Sequence, residues 1–127
     1  MALRQFVDSS SLGCGGIIFQ LDGTGCLHIL RCWSASYGPV TQNKPPTELE
    51  LHGLFLGVCK MEPYISMVGD EPFYIYTDHL PLLSIVEHMD ASRLRSMDRI
   101  VIERHLRYLC QFQYLAVVLS ERALTEV

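Results

Sequence analysis

The first third of the chain consists of short runs of apolar and β-branched residues bounded by turn-forming residues, a pattern typical of strands. Three such runs cover residues 3–8, 14–21 and 26–33. The segments between them are rich in Ser, Gly and Asp and are short enough to return the chain directly. We therefore predict a three-stranded antiparallel meander. Residues 37–46 contain Gly, Asn and three prolines and are predicted to form a loop.

The apolar period then changes to that of a helix. Apolar residues recur at i, i+3, i+4 and i+7, namely at Leu51, Leu54, Phe55 and Val58. This period predicts an amphipathic helix over residues 47–61. Thr47 is a suitable N-cap, and Glu50 three residues later completes a capping box. Gly53 and Gly57 share one face of the helix, which predicts a close approach to a sheet.

The second half of the chain adds two strands and further helices. Strands are predicted at residues 73–77 and 112–118, a short helix after Asp78, a longer helix over residues 92–109, and one or two turns of helix within 119–127. The longer helix has an apolar line formed by Ile102, Leu106 and Leu109. The fourth strand follows a helix and should pair in parallel with the first by a right-handed crossover. The order predicts an α/β fold with a mixed five-stranded sheet and helices packed on it.

Composition indicates a globular protein of modest acidity. The chain has 127 residues, of which 49% are apolar and 19% charged, so we expect one domain with a substantial core. The formal net charge is −4. A domain that binds nucleic-acid phosphates tightly usually carries a net positive charge, so the acidic charge disfavours tight autonomous binding of nucleic acid. A local basic face is still compatible with this composition.

The five cysteines show no metal-binding spacing and lie partly within apolar runs. We interpret them as small buried residues of a reduced, intracellular protein. No apolar run approaches the roughly 18 residues of a membrane helix, and the amino terminus lacks a signal-peptide core. The sequence therefore predicts no membrane association, and it leaves nucleus, cytoplasm and oligomeric state open.

Three carboxylates fall where the predicted sheet would bring them together. Asp8 closes the first strand, Asp78 follows the fourth, and Glu50 begins the helix that packs over both. Clustered acids repel one another unless hard divalent cations neutralise them, and two such ions about 4 Å apart serve phosphoryl transfer. Each residue also has an ordinary explanation, in a turn, a capping box or a helix cap. Periodicity alone leaves both interpretations open.

The motifs around these residues resemble those of the ribonuclease H domain of gypsy-type long-terminal-repeat retrotransposons. Residues 8–20 are similar to its first motif, in which Asp-Ala-Ser precedes a Gly-x-Gly and an apolar strand ending in Gln. Residues 33–36 resemble the end of its third strand, and Thr-Glu-Leu-Glu-Leu at 47–51 matches its helix motif. Residues 76–82 are close to its Thr-Asp-His-x-Pro-Leu signature, and residues 104–118 resemble the passage before its last motif.

The resemblance implies a ribonuclease H fold and endonucleolytic cleavage of RNA in an RNA–DNA hybrid. Asp8, Glu50 and Asp78 would be the catalytic residues and would bind two Mg²⁺ ions, which Mn²⁺ could replace. The family also has a fourth catalytic Asp after the last strand, but residues 119–127 contain no Asp. Glu121 and Glu126 are imperfect substitutes, so the fourth carboxylate stays unassigned.

Two explanations fit this departure: the chain is cut short of its last helix, or it has diverged and lost the motif. A diverged copy would be a domesticated, inactive module that acts in protein–protein interaction or scaffolding, with a protein as its partner.

Arginines on the longer predicted helix offer a further test. Arg95 and Arg99 are the candidates for contacts with a hybrid duplex, because a basic face would bind phosphates. Acids interleave with the basic residues, so a solvated helix with internal ion pairs is the alternative interpretation. His79 and His52 lie beside Asp78 and Glu50 in sequence and are expected to support the site or lie at the surface.

Overall fold

The computed structural model describes residues 1–69, 71–88 and 99–119. The elements in these ranges are β1 (Arg4–Ser9), β2 (Gly13–Leu21), β3 (Leu27–Ser36), α1 (Pro39–Gln42), α2 (Pro46–Ile65), β4 (Phe73–Thr77), α3 (Leu80–His88), α4 (Arg99–Cys110) and β5 (Leu115–Leu119). The described strands form one sheet in the order β3-β2-β1-β4-β5. Strands β1, β2 and β3 pair antiparallel, whereas β1, β4 and β5 pair parallel. The predicted mixed sheet with a central β1–β4 pair is confirmed.

Helix α2 packs closely on the central strands because two glycines face the sheet. A Cβ atom on Gly53 would lie 3.2 Å from the Ser9 Cβ, and one on Gly57 would lie 2.9 Å from the Val7 Cγ2. Three of the four residues of the predicted apolar face, Leu51, Leu54 and Val58, are almost wholly inaccessible, and Phe55 is half-buried. The close approach expected from the glycine spacing is therefore confirmed.

A buried polar contact also joins α2 to the sheet. Gln5 is fully buried on β1. Its side-chain amide donates to the Gly57 carbonyl at 2.9 Å and its Oε1 accepts from the Trp33 indole N–H at 2.6 Å. Gly16 leaves the space for this contact, since a Cβ there would lie 2.4 Å from the indole nitrogen. Both ends of the buried amide are thus satisfied, which favours one position of the helix over the sheet.

The start of α2 differs from the prediction. Its N-cap is Pro45, and no side chain caps it. Thr47 lies inside the first turn, and its hydroxyl meets the imidazole of His79 instead. The predicted capping box of Thr47 and Glu50 is therefore wrong, because a tertiary partner replaces the local one. The helix also runs past residue 61 to Ile65 and includes Pro63.

The segment predicted as a loop at residues 37–46 contains the one-turn helix α1. Pro39 is its first residue, and the fixed φ of proline suits the first position of a helix. The loop prediction treated proline only as a breaker, so it missed this turn.

Helices α3 and α4 contribute buried residues to the same core cluster as α2. The apolar line of α4, formed by Ile102, Leu106 and Leu109, is buried as predicted. The predicted start of this helix, residues 92–98, lies outside the described residues, as does the predicted terminal helix beyond Leu119. The last strand begins at Leu115 rather than residue 112. No helix in the described ranges has the length and apolarity to cross a membrane.

The cysteines are mostly accessible, contrary to the prediction. Cys14 is buried, Cys59 is half-buried, and Cys26, Cys32 and Cys110 are exposed. Cys32 lies on β3 at the edge of the sheet, Cys110 is the last residue of α4, and Cys26 lies in the turn before β3. These places are open to solvent, so apolar neighbours in the sequence do not ensure burial of a cysteine.

Candidate metal centre

Three carboxylates from separate elements converge at the end of the central strands. Asp8 is the penultimate residue of β1, Asp78 directly follows β4, and Glu50 lies near the amino-terminal end of α2. One oxygen from each lies within 4.8 Å of the others. The structure thus brings together the three residues that the sequence predicts as a site.

The register of the parallel strands accounts for the pairing of the two aspartates. Phe6 of β1 is opposite Tyr76 of β4. Two residues further along each strand the chain reaches Asp8 and Asp78, which emerge at the same end of the sheet. The glycine contacts of α2 then place Glu50 over this end.

A hydrogen bond joins the segment after β4 to α2. The Thr47 Oγ1 and the His79 Nε2 are 3.0 Å apart, and the His79 backbone N–H donates to the Thr77 Oγ1 at 3.2 Å. His79 therefore supports the turn that carries Asp78, which is one of the two roles expected for it.

Glu50 differs electrostatically from the two aspartates. Burial, followed by the negative charges of Asp78 and Asp8, raises the pKa of Glu50 to about 7. Asp8 and Asp78 are exposed, whereas Glu50 is half-buried. Bringing the third negative charge into this cluster costs free energy, which a cation would offset.

The donor set fits a hard divalent cation. All three groups offer carboxylate oxygens, which Mg²⁺, Mn²⁺ and Ca²⁺ prefer as ligands. In the described part of the chain, no other three His, Cys, Asp or Glu side chains bring their ligand atoms as close together. Beside the carboxylates lies an open cleft of about 770 Å³, bounded by the β1–β2 hairpin and the end of β3. Asp8 and Asp78 both line it, so an extended ligand has room beside the carboxylates.

Ser9 and Tyr37 connect the segments that carry Asp8 and Glu50, and the sequence did not predict this role. The Ser9 Oγ lies 2.6 Å from the Tyr37 hydroxyl and donates to the Leu49 carbonyl at 2.9 Å. The sequence predicts a turn at Ser9 and a loop at Tyr37. The adjacency of Ser9 to Asp8 and of Leu49 to Glu50 was the available signal, but no sequence pattern pairs them.

The other candidate residues add little to the centre. Arg95 lies outside the described residues, and Arg99 begins α4, with its side chain likewise outside the description. Glu121 and Glu126 also lie outside it. His52 is half-buried, 5.3 Å from the Tyr37 ring and 5.2 Å from the His105 ring between centroids. Burial lowers the pKa of His52.

Comparison with known sequences identifies a family. Residues 3–121 match the family described as the RNase H-like domain found in reverse transcriptase. No curated protein matches the chain.

Solved structures show the same fold at low sequence identity. RNase H1 from Halobacterium salinarum NRC-1 is 11% identical with a TM-score of 0.64, over 94% of this chain and 85% of that one. LC11-RNase H1 in complex with an RNA/DNA hybrid is 13% identical with a TM-score of 0.66, over 92% and 83% of the two chains. The foamy viral protease-reverse transcriptase in complex with double-stranded DNA is 14% identical with a TM-score of 0.64, over 93% of this chain and 23% of that one. The predicted ribonuclease H-like fold is confirmed.

Proposed function

Because the chain belongs to the family of RNase H-like domains found in reverse transcriptase, we propose that it hydrolyses the RNA strand of RNA–DNA hybrids endonucleolytically. The observation that carries this proposal is the convergence of Asp8, Glu50 and Asp78 within 4.8 Å. A structural relative that was solved with an RNA/DNA hybrid supports the choice of substrate. Within the family, the Thr-Asp-His-x-Pro-Leu motif at residues 77–82 favours an origin in a gypsy-type retrotransposon.

The chain's own residues would contribute ligands and orientation. The two exposed aspartates would face the bound ions and the scissile phosphate, and Glu50 would bind once it has lost its proton. Two Mg²⁺ or Mn²⁺ ions held there would activate a water nucleophile and neutralise charge on the departing oxygen. Thr47 and His79 would keep the Asp78 turn against α2 while the substrate binds.

A second candidate function is a non-catalytic module that binds another protein. The observation in its favour is the formal net charge of −4, because a domain that binds a nucleic-acid duplex tightly usually carries a net positive charge. Such a module would be a domesticated copy that keeps the fold.

A hydrolysis assay separates the two functions. The protein is incubated with a labelled RNA–DNA hybrid and Mg²⁺ or Mn²⁺, beside Asp8→Asn, Glu50→Gln and Asp78→Asn. We expect each substitution to slow cleavage by more than about a hundredfold, since losing a ligand costs more than losing an outer partner. Glu103→Gln, an exposed position on α4, is the matched control and should cleave like the wild type.

The outcomes are distinct. Cleavage that persists in Asp8→Asn would reject the metal centre. Absence of cleavage together with absence of metal binding by calorimetry would reject the nuclease, and metal binding without cleavage would favour the non-catalytic module. Slower cleavage by Glu121→Gln or Glu126→Gln would identify the fourth carboxylate.

A further inference from the structure

A buried tyrosine links the end of β1 to α2 directly behind the carboxylates. Tyr37 is 6% exposed. Its hydroxyl oxygen lies 2.6 Å from the Ser9 Oγ and 3.3 Å from the Leu49 carbonyl oxygen, and the Ser9 Oγ lies 2.9 Å from the same carbonyl. The three oxygens form a closed triangle that joins three segments of the chain.

Every oxygen of this triangle can be satisfied. The Leu49 carbonyl can only accept, so Ser9 donates its proton to it. The Tyr37 hydroxyl can then donate to Ser9 or to the same carbonyl. Burial raises the pKa of Tyr37, so the hydroxyl keeps its proton at all ordinary pH values. A satisfied polar contact in a buried place resists displacement, because breaking it leaves unpaired polar atoms.

Two of the three residues in the triangle are chain neighbours of metal-ligand candidates. Ser9 directly follows Asp8, and Leu49 directly precedes Glu50. These two carboxylates repel each other, and the negative charge of Asp8 contributes to the raised pKa of Glu50. A link between their neighbours therefore opposes the separation that this repulsion favours.

Tyr37 is itself held from several sides. Its backbone N–H donates to the Leu12 carbonyl at 2.8 Å, and its carbonyl accepts from the Gln42 side-chain amide at 2.8 Å. Its ring meets the His52 ring edge-on at 5.3 Å. The position of the hydroxyl is thus set before any ion binds.

We propose that Tyr37 is a positioning residue of the metal centre, whose hydroxyl acts through Ser9 and Leu49 to set the separation of Asp8 and Glu50. This inference rests on the proposed metal-binding function. It predicts that the hydroxyl contributes to the affinity for the ion. The Asp78 turn has its own link to α2 through Thr47 and His79, so the effect concerns the other two ligands.

The test compares Tyr37→Phe with Tyr108→Phe. The first substitution removes the hydroxyl of the triangle and keeps the ring. The control removes the hydroxyl of Tyr108 on α4, which donates to the Glu62 carboxylate at 2.9 Å. For each protein, calorimetry gives the Kd for Mg²⁺ and Mn²⁺, thermal unfolding without metal gives Tm, and the hydrolysis assay gives the Mg²⁺ concentration at half-maximal rate.

We expect Tyr37→Phe to bind Mg²⁺ about tenfold more weakly than the wild type. This is the lower end of the loss of affinity that usually follows when a residue that holds a metal ligand in place is changed. The Mg²⁺ concentration at half-maximal cleavage should rise by a similar factor, while the rate at saturating Mg²⁺ stays close to that of the wild type. Tyr108→Phe should keep the wild-type Kd.

A lower Tm of Tyr37→Phe with an unchanged Kd would overturn the inference, because the hydroxyl would then only stabilise the fold. Absence of metal binding by the wild type would overturn the proposed function as well, so the two failures are distinguishable. Should Tyr37→Phe fail to fold, Ser9→Ala permits the same comparison with the same expected loss. In the double variant Tyr37→Phe/Ser9→Ala, the two losses of Mg²⁺ affinity should not add, because both substitutions break the same hydrogen-bonded link.

Discussion

At the scale of single residues, Glu50 is the group whose surroundings most change its chemistry. It is half-buried, and burial and the charges of Asp78 and Asp8 raise its pKa to about 7. Near neutral pH the carboxyl therefore exchanges its proton, which an ion must displace in order to bind. Metal binding at this site should strengthen as the pH rises through that pKa.

The same shift predicts how stability without metal depends on pH. The pKa of Glu50 rises from 4.5 in the unfolded chain to about 7 in the folded protein. Between these values the folded state holds a proton that the unfolded state has released, so the free energy of unfolding falls as the pH rises. Glu50→Gln should lack this contribution and, at pH 8, exceed the wild type by about 1 to 2 kcal/mol after solvent screening.

The measurement is urea unfolding in the presence of a chelator at pH 4.5 and pH 8, for wild type, Glu50→Gln and the exposed control Glu103→Gln. The difference between wild type and Glu50→Gln should appear at pH 8 and be small at pH 4.5. Equal differences at both pH values would contradict the raised pKa.

At the scale of elements, α2 connects the core to the site. Its buried face contacts β1 and β2, and the glycines in that face bring the helix close enough for Glu50 to reach the strand ends. The geometry of the centre thus depends on helix packing as much as on the carboxylates.

Gly57 provides a test of this close packing. Gly57→Val would force a side chain against Val7 and Gln5, since even a Cβ would lie 2.9 Å from the Val7 Cγ2. We expect a loss of about 2 to 3 kcal/mol in the free energy of unfolding, as is usual for overpacked cores. Gly23→Val is the matched control, because a Cβ there meets nothing within 4 Å. Urea unfolding of both variants measures the effect, and equal stability would show that α2 can move away freely.

At the scale of the whole molecule, the sheet gathers acids from distant parts of the sequence and keeps them together against their repulsion. An ion that binds the folded state alone should therefore stabilise the entire domain. Free Mg²⁺ at about ten times its Kd would add about 1.4 kcal/mol to the free energy of unfolding. This corresponds to a rise in Tm of about 5 °C for a domain of this size.

Thermal unfolding with and without Mg²⁺ checks this linkage. The double variant Asp8→Asn/Asp78→Asn should show almost no rise in Tm with Mg²⁺. An equal rise in both proteins would indicate that the ion stabilises the fold at some other place.

Much of the architecture was predictable because its signals are local. Apolar runs and turn residues identify the strands, the i, i+3, i+4 period identifies α2, and a strand after a helix pairs in parallel by a right-handed crossover. The errors arose where a local signal competed with a distant partner. Thr47 looked like a helix cap, but its hydroxyl meets His79, and the exposed cysteines lie at an edge strand, a turn and a helix end.

The sequence by itself determined the order of elements, the glycine face of α2 and the three acids, because periods and motifs are properties of neighbouring residues. Only the tertiary structure decided how close the three carboxylates lie to one another. Their separation follows from the β1–β4 register and from the glycine contacts of α2, which join residues more than 40 positions apart. Burial and the two neighbouring acids raise the pKa of Glu50 only in the folded chain. The link from Tyr37 to Ser9 likewise forms only there, because it joins residues 28 positions apart.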